Sequence, residues 1–177
     1  MTPEQLLTYL EEGRSLEDEV LTSMDLSGMD LHDKVLAGVD LTGAILIRAN
    51  LAGCDFSGAT LEEVDFTDAD LTEACLDEAQ LSGADFTRAN LESATFTGAN
   101  LHSSVFVSAN LTDVDLSDSD CSSADFSSAV LTGADLSSAD FSKTLLESTD
   151  FTDAVIADTE FEDADTETVI GLELDSE

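Results

Sequence analysis

Of the groups that carry most enzyme chemistry, this chain holds two histidines, three cysteines and 40 carboxylates, and their spacing decides what they could do. His32 and His102 have no serine, cysteine or carboxylate at a spacing that builds a catalytic triad or a metal set, so both read as surface residues. Cys54, Cys75 and Cys121 are odd in number and form no CxxC pair, which argues against a disulfide framework or a zinc site and suits free thiols in a reducing compartment. Asp120, Asp140 and Glu160 recur every twenty residues and could share a cation between stacked turns, but the glycine-rich nonapeptide of calcium-binding β-helices is absent. Gly28, Gly38, Gly43, Gly53, Gly58 and Gly83 fall in step with a repeat and build no phosphate-cradling loop. These residues predict no catalytic site, no cofactor and no metal, and the chain reads as a non-enzyme.

What must position these side chains is a repeat. Large apolar residues occupy positions whose numbers end in 1 or 6: from Leu26 to Phe161 there are 28 in succession, all Leu, Phe or Ile except Cys121. Two residues before each stands a small or modest side chain, as in Ala44, Ala49, Cys54, Ala59, Val64, Ala69 and Ala74. The residue between is usually Asp or Asn, giving A-(D/N)-(L/F)-x-x, plain in Ala84-Asp85-Phe86-Thr87-Arg88. A period of five matches neither the 3.6 of a helix nor the 2 of a strand. On an α-helix it would turn the apolar stripe by about 140° per repeat and smear it around the circumference. A chain that turns a corner every five residues keeps all these side chains inside. Lys34 occupies one of the small slots, and its ammonium is expected to reach solvent or a nearby carboxylate from a loose first coil.

Over residues 21–165 this pattern resembles the pentapeptide-repeat family. The resemblance implies an all-β fold, a right-handed quadrilateral parallel β-helix: a solenoid with four repeats per coil, about seven coils, and the central and small residues facing in. Coils stacked at strand spacing, about 4.8 Å, make a rod on the order of 34 Å long. Residues twenty apart then lie one above another, which aligns Phe66, Phe86, Phe106 and Phe126 on one wall and Leu31, Leu51, Leu71, Leu91, Leu111 and Leu131 on the next.

A solenoid needs caps at both ends. Thr2-Pro3-Glu4-Gln5 reads as a capping box with proline at the first helical position, and Leu6, Leu7 and Leu10 give an apolar stripe ending near Gly13, so residues 1–20 are expected to form a short N-terminal capping helix and lead-in. The repeat spans 21–165, and its register lapses at Thr166. The acidic tail 166–177 carries Val169, Ile170, Leu172 and Leu174, which either fold over the last coil or pair with a second copy in a homodimer.

The formal charge is −35 beside an apolar fraction of 42%, which fits a folded chain with an acid-coated exterior. Such a surface repels phosphate backbones and anionic lipid, so direct binding of nucleic acid or a membrane is not expected, whereas a basic protein partner is. No basic segment leads into an apolar one at the N-terminus, and the longest aliphatic run, Ala44 to Ile47, is too short to span a bilayer, so a soluble, cytoplasmic protein is expected.

Residues 21–161 hold 27 acidic and 4 basic side chains, a net of −23, or roughly one charge per 1.5 Å of the expected rod, against about 1.7 Å for duplex DNA. In repeat and charge the chain is similar to the fluoroquinolone-resistance branch of the family, and the resemblance implies DNA mimicry toward a type II topoisomerase, chiefly gyrase, protecting it from inhibitors. The competing reading is a structural or adaptor protein, an accessory of secretion or assembly, whose acidity reflects high-salt adaptation. Candidate partner-binding residues are Asp65, Asp85, Asp115, Asp120, Asp135 and Asp140, together with Ile45, Ile47, Val105, Val107 and Leu145, aliphatic residues at outward positions of the Phe wall that would form a stripe along one face.

Overall fold

In the computed structural model, which describes residues 1–14, 16 and 20–172, each backbone N–H of a repeat that follows the A-D-F-x-x pattern in full has its own acceptor. In Ala84–Arg88, Phe86 N–H donates to Val105 O at 2.7 Å and Arg88 N–H to Val107 O at 3.0 Å, both in the coil that follows. Asp85 N–H donates back to Val64 O at 2.9 Å, and Ala84 N–H closes a turn on Leu81 O at 3.0 Å. The N–H left over, that of Thr87, goes to the Asp85 side chain at 2.8 Å. Unpaired backbone donors are costly in a packed fold, so this fifth bond explains the preference for Asp or Asn before the central residue: it is an Asx turn.

The corners also need an unusual backbone. The second central residue of each turn from Ser23 to Asp163 has φ near +60°, the requirement of a type II turn. Twenty-one residues other than glycine adopt it, Arg88 and Asp113 among them, at a cost of about 1 kcal/mol each. Glycine is required at Gly171 (φ +73°), because a Cβ there would lie 2.7 Å from the backbone N and Cα of Thr152 one coil away.

Parallel bridges join residue i to residue i+20 without interruption from Asp25↔Ile45 to Asp150↔Ile170. The thirty bridging residues, four to a coil, make seven and a half coils. Each contact is one residue long because the chain turns before a longer strand can form. The coil runs past Thr166, where the sequence register lapses: Asp165 bridges Leu145 and Ile170 bridges Asp150, because the backbone ladder does not depend on the size of the inward side chain.

Four walls result. Wall 1 carries the central residues Leu21 to Phe161 at intervals of twenty, wall 2 Leu26 to Leu146, wall 3 Leu31 to Phe151 and wall 4 Leu36 to Ile156. Central and small residues are buried together in one continuous core, with Ala84, Ala94 and Ala124 beside Phe86, Phe96 and Leu101 all at 0% exposure. On wall 2 the rings of Phe66, Phe86, Phe106 and Phe126 stack at centroid distances of 4.8, 4.7 and 4.6 Å and within 5° of parallel. Like stacks on like because the coil spacing equals a stacking distance.

Helix α1 (Pro3–Glu11) closes the N-terminal end. Thr2 caps it by accepting from Gln5 N–H, the Gln5 side chain accepts from Thr2 N–H, and Pro3 opens the first turn. Leu6 is fully buried and joins the core. Arg14 lies over the Tyr9 ring, 3.6 Å from its centroid. Among the described residues no helix is long and apolar enough to cross a membrane.

Candidate partner-binding surface

With the core filled, the exterior of the walls is what the rod offers a partner. Walls 1 to 4 carry, over residues 20–172, eight acids against one lysine, eight against two arginines, eight against none and seven against one lysine, the half-buried Lys34, or −7, −6, −8 and −6. The charge is even around the rod.

Its arrangement is not. On wall 3 the bridging column reads Asp30, Asn50, Asp70, Asn90, Asn110, with amides between the carboxylates: Asn50 donates to Asp30 at 2.9 Å and Asn110 to Asn90 at 2.8 Å. Elsewhere acids bridge acids directly, Asp65↔Asp85 on wall 2, Asp115↔Asp135 on wall 4 and Asp120↔Asp140↔Glu160 on wall 1. The six aspartates proposed from the sequence are thus the like-charge rungs, spread over three walls. Such neighbours repel.

Each of the six also holds its own turn. Asp115, Asp120 and Asp135 accept from both the N–H and the hydroxyl of the residue two ahead, Ser117, Ser122 and Ser137, while Asp65, Asp85 and Asp140 accept the N–H of Thr67, Thr87 and Ser142. These bonds use Oδ1 and leave Oδ2 without a hydrogen-bond partner among the described residues. The Ser137 hydroxyl, then its N–H, holds the Asp135 pKa below the ordinary value, and the Thr42 N–H, then its hydroxyl, does the same for Asp40. On wall 2 Arg88 makes a bidentate pair with Asp68, at 2.6 and 2.9 Å, which lowers the Asp68 pKa.

The aliphatic residues of wall 2 do not form the continuous stripe expected. Their bridging column runs Asp25, Ile45, Asp65, Asp85, Val105, Asp125, Leu145, Asp165, so carboxylates separate Ile45, Val105 and Leu145. Ile45 and Leu145 are exposed, while Ile47, Val105 and Val107 are half-buried between rungs. At the far end Val169 is a half-buried inward residue of the last coil, Ile170 is an exposed bridging residue and Leu172 is half-buried against the core; Leu174 lies outside the described residues.

The remaining chemical groups are scattered. His32 Nδ1 contacts Asp30 at 2.7 Å and His102 Nδ1 contacts Ser122 at 2.9 Å, both exposed. Lys34 is half-buried in its small slot. Cys54 and Cys121 are buried free thiols whose pKa burial pushes up to about 11 and about 12, so neither is a ready nucleophile. Among the described residues no three His, Cys, Asp or Glu side chains are placed to hold a metal ion. Reading from sequence missed the turn-capping role of the aspartates and the positive φ of the corners. The signal for the first was the Ser or Thr so often found two residues after Asp.

The pentapeptide-repeat model matches in eight copies, over stretches that run from residue 20 to residue 165. The chain belongs to the pentapeptide-repeat family. Its members fold as right-handed quadrilateral β-helices and are generally non-catalytic scaffolds, and the twenty-residue coil described above is of that kind. Solved structures that resemble the chain include HetL, a pentapeptide-repeat protein involved in heterocyst differentiation regulation from the cyanobacterium Nostoc sp. strain PCC 7120, at 22% identity over 97% of this chain and 98% of that one, TM-score 0.29. QnrB1, a plasmid-mediated fluoroquinolone resistance protein, matches at 22% identity over 81% and 84%, TM-score 0.36. A pentapeptide-repeat protein of the Arabidopsis thaliana thylakoid lumen matches at 34% identity over 66% and 73%, TM-score 0.25. A search of curated proteins finds no match.

Proposed function

We propose that this protein is a non-catalytic, cytoplasmic scaffold whose rod presents a fixed lattice of carboxylates to the basic surface of a DNA-handling protein, with a type II topoisomerase such as gyrase as the first candidate. The observation that carries the reading is the set of like-charge rungs at Asp65/Asp85, Asp115/Asp135 and Asp120/Asp140. Wall 3, and wall 1 at Gln80 and Asn100, show that this fold can interpose amides between carboxylates, and at these rungs it does not. Repulsion left standing at a surface is relieved by a cationic partner, and carboxylates already locked by Asx turns lose little entropy on binding. The fluoroquinolone-resistance function of QnrB1 supports choosing gyrase for the first test.

Asn50 and Asn110 accept the N–H of Ala52 and Thr112 as aspartate does, so asparagine keeps the turn while removing the charge. Wild-type protein, substoichiometric to gyrase, is expected to change supercoiling or its inhibition by a quinolone. The variant with Asp65, Asp85, Asp115, Asp120, Asp135 and Asp140 all replaced by Asn is expected to fold and to act roughly tenfold or more weakly. No effect of the wild type at micromolar concentration removes the topoisomerase reading.

The evenness of charge over the four walls favours a second reading, a scaffold or adaptor whose acidity suits a salt-rich cytoplasm. There the repulsion is screened by the solvent and needs no partner.

A further inference from the structure

Three positions on wall 2, Ile45, Val105 and Leu145, break the repeat in a way that costs the fold a hydrogen bond, and at the first two a second aliphatic follows. Where Ile45 and Val105 replace the usual Asp or Asn, the N–H of Ile47 and of Val107 loses its side-chain acceptor, and among the described residues neither finds another. Both positions pair the aliphatic bridging residue with a second aliphatic two residues on, Ile47 and Val107. Val35, Val155 and Ile170 lie in the first and last coils, and Val130 has Thr132 two residues ahead. In the body of the rod, then, only wall 2 gives up both a charge and a turn cap for paired aliphatics, and it does so twice.

The two pairs bracket the like-charge rung. Down the column they read Ile45 and Ile47, then Asp65, Asp85, then Val105 and Val107, with three coils, about 14 Å, from one pair to the other. Arg88 donates to Asp68 through both Nε and a terminal nitrogen, so it bridges no part of the Asp65/Asp85 rung. The rung therefore has no hydrogen-bonded cation, Arg88 acting on Asp85 only at longer range, and it lies between two apolar ledges, each with a backbone N–H that has no acceptor among the described residues.

We propose that this segment of wall 2 is the docking face of the rod, taking a protein segment that carries two or more lysines or arginines between aliphatic residues about 14 Å apart. The claim rests on the protein-binding reading above and adds which wall is used and what the partner brings. Charge complementarity selects this occupant: cationic side chains relieve Asp65 and Asp85, and aliphatics on either side cover the ledges. A second copy of this chain is disfavoured because its own surface is acidic on every wall.

The probe is a hexapeptide with leucine at each end and four lysines between, compared with tetralysine of equal side-chain charge, each titrated into the full chain at low salt and followed by backbone amide shifts. The leucine-ended peptide is expected to move amides at residues 45–47, 65, 85 and 105–107 selectively, while tetralysine moves all four walls. The variant Ile45→Asn with Val105→Asn restores both turn caps without adding charge. It is expected to keep or raise the thermal midpoint yet bind the leucine-ended peptide roughly tenfold more weakly. Even shifts over four walls, no binding of the peptide, or equal binding by the variant overturns the proposal. Gyrase is assayed separately, so a null result there removes the topoisomerase while the peptide titration still decides the wall.

Discussion

Aspartate before the central residue does two jobs at once. It supplies surface charge, and it accepts the one N–H that the coil-to-coil ladder leaves unpaired, as Asp135 does for Ser137 at 3.0 Å and Asp150 for Thr152 at 2.9 Å. These bonds hold the Asp25, Asp40, Asp135 and Asp150 carboxyls below their ordinary pKa of 3.8. A folded-state pKa below the unfolded value means the stabilisation is complete above that ordinary range and is lost as pH falls through the lower folded value. A side-chain NMR titration is expected to show Asp135 titrating below 3.8, and Ser137→Ala is expected to move it upward, because the hydroxyl is the larger cause. An unmoved midpoint would show that the bond is not formed in solution. The motif A-(D/N)-(L/F)-x-x was legible in the chain, but the purpose of its D/N was not, because the N–H it satisfies is identified only once the other four are seen to be taken.

At the scale of the element, the capping helix was legible in full: Thr2, Pro3 and Gln5 form a local motif whose hydrogen bonds lie within three residues of one another. Its energetic weight is tertiary. Leu6 is fully buried against the first coil, so Leu6→Ala is expected to destabilise the chain by about 2–5 kcal/mol, against about 0.5–2 kcal/mol for Thr2→Ala, measured by urea unfolding. Equal, small losses for the two would mean that α1 frays without exposing the core. Within a coil the tolerance is set by the narrow corner slot: Ala94 is 0% exposed, and Ala94→Leu is expected to cost about 1–3 kcal/mol through overpacking.

The molecule as a whole is a polyanion wound on a hydrocarbon core. Over residues 20–172 its charge, −27, is spread evenly over four walls, and three of them stack carboxylates at coil spacing. Raising the salt concentration from 0.01 M to 1 M shortens the screening length from about 30 Å to about 3 Å, below the rung spacing. The thermal midpoint is therefore expected to rise with sodium chloride, by about 2–4 °C for each kcal/mol of repulsion relieved, and the Asp-to-Asn variant of the six rungs is expected to rise less. Identical salt dependence in the two proteins would show that the rungs carry no special share of the repulsion.

The sequence by itself determined the period, the inward residues, the N-terminal cap and the acidity of the exterior, because each follows from side-chain type at a local, regular spacing. Only the tertiary structure decided who neighbours whom. A period of five does not state how many corners close a coil, and it is the pairing of i with i+20 that sets Asp65 on Asp85, interposes Asn50 between Asp30 and Asp70, and separates Ile45 from Val105 by two carboxylates. It also carries the coil past Thr166, since a ladder of backbone bonds continues from the coil beneath it when the side-chain pattern has already lapsed.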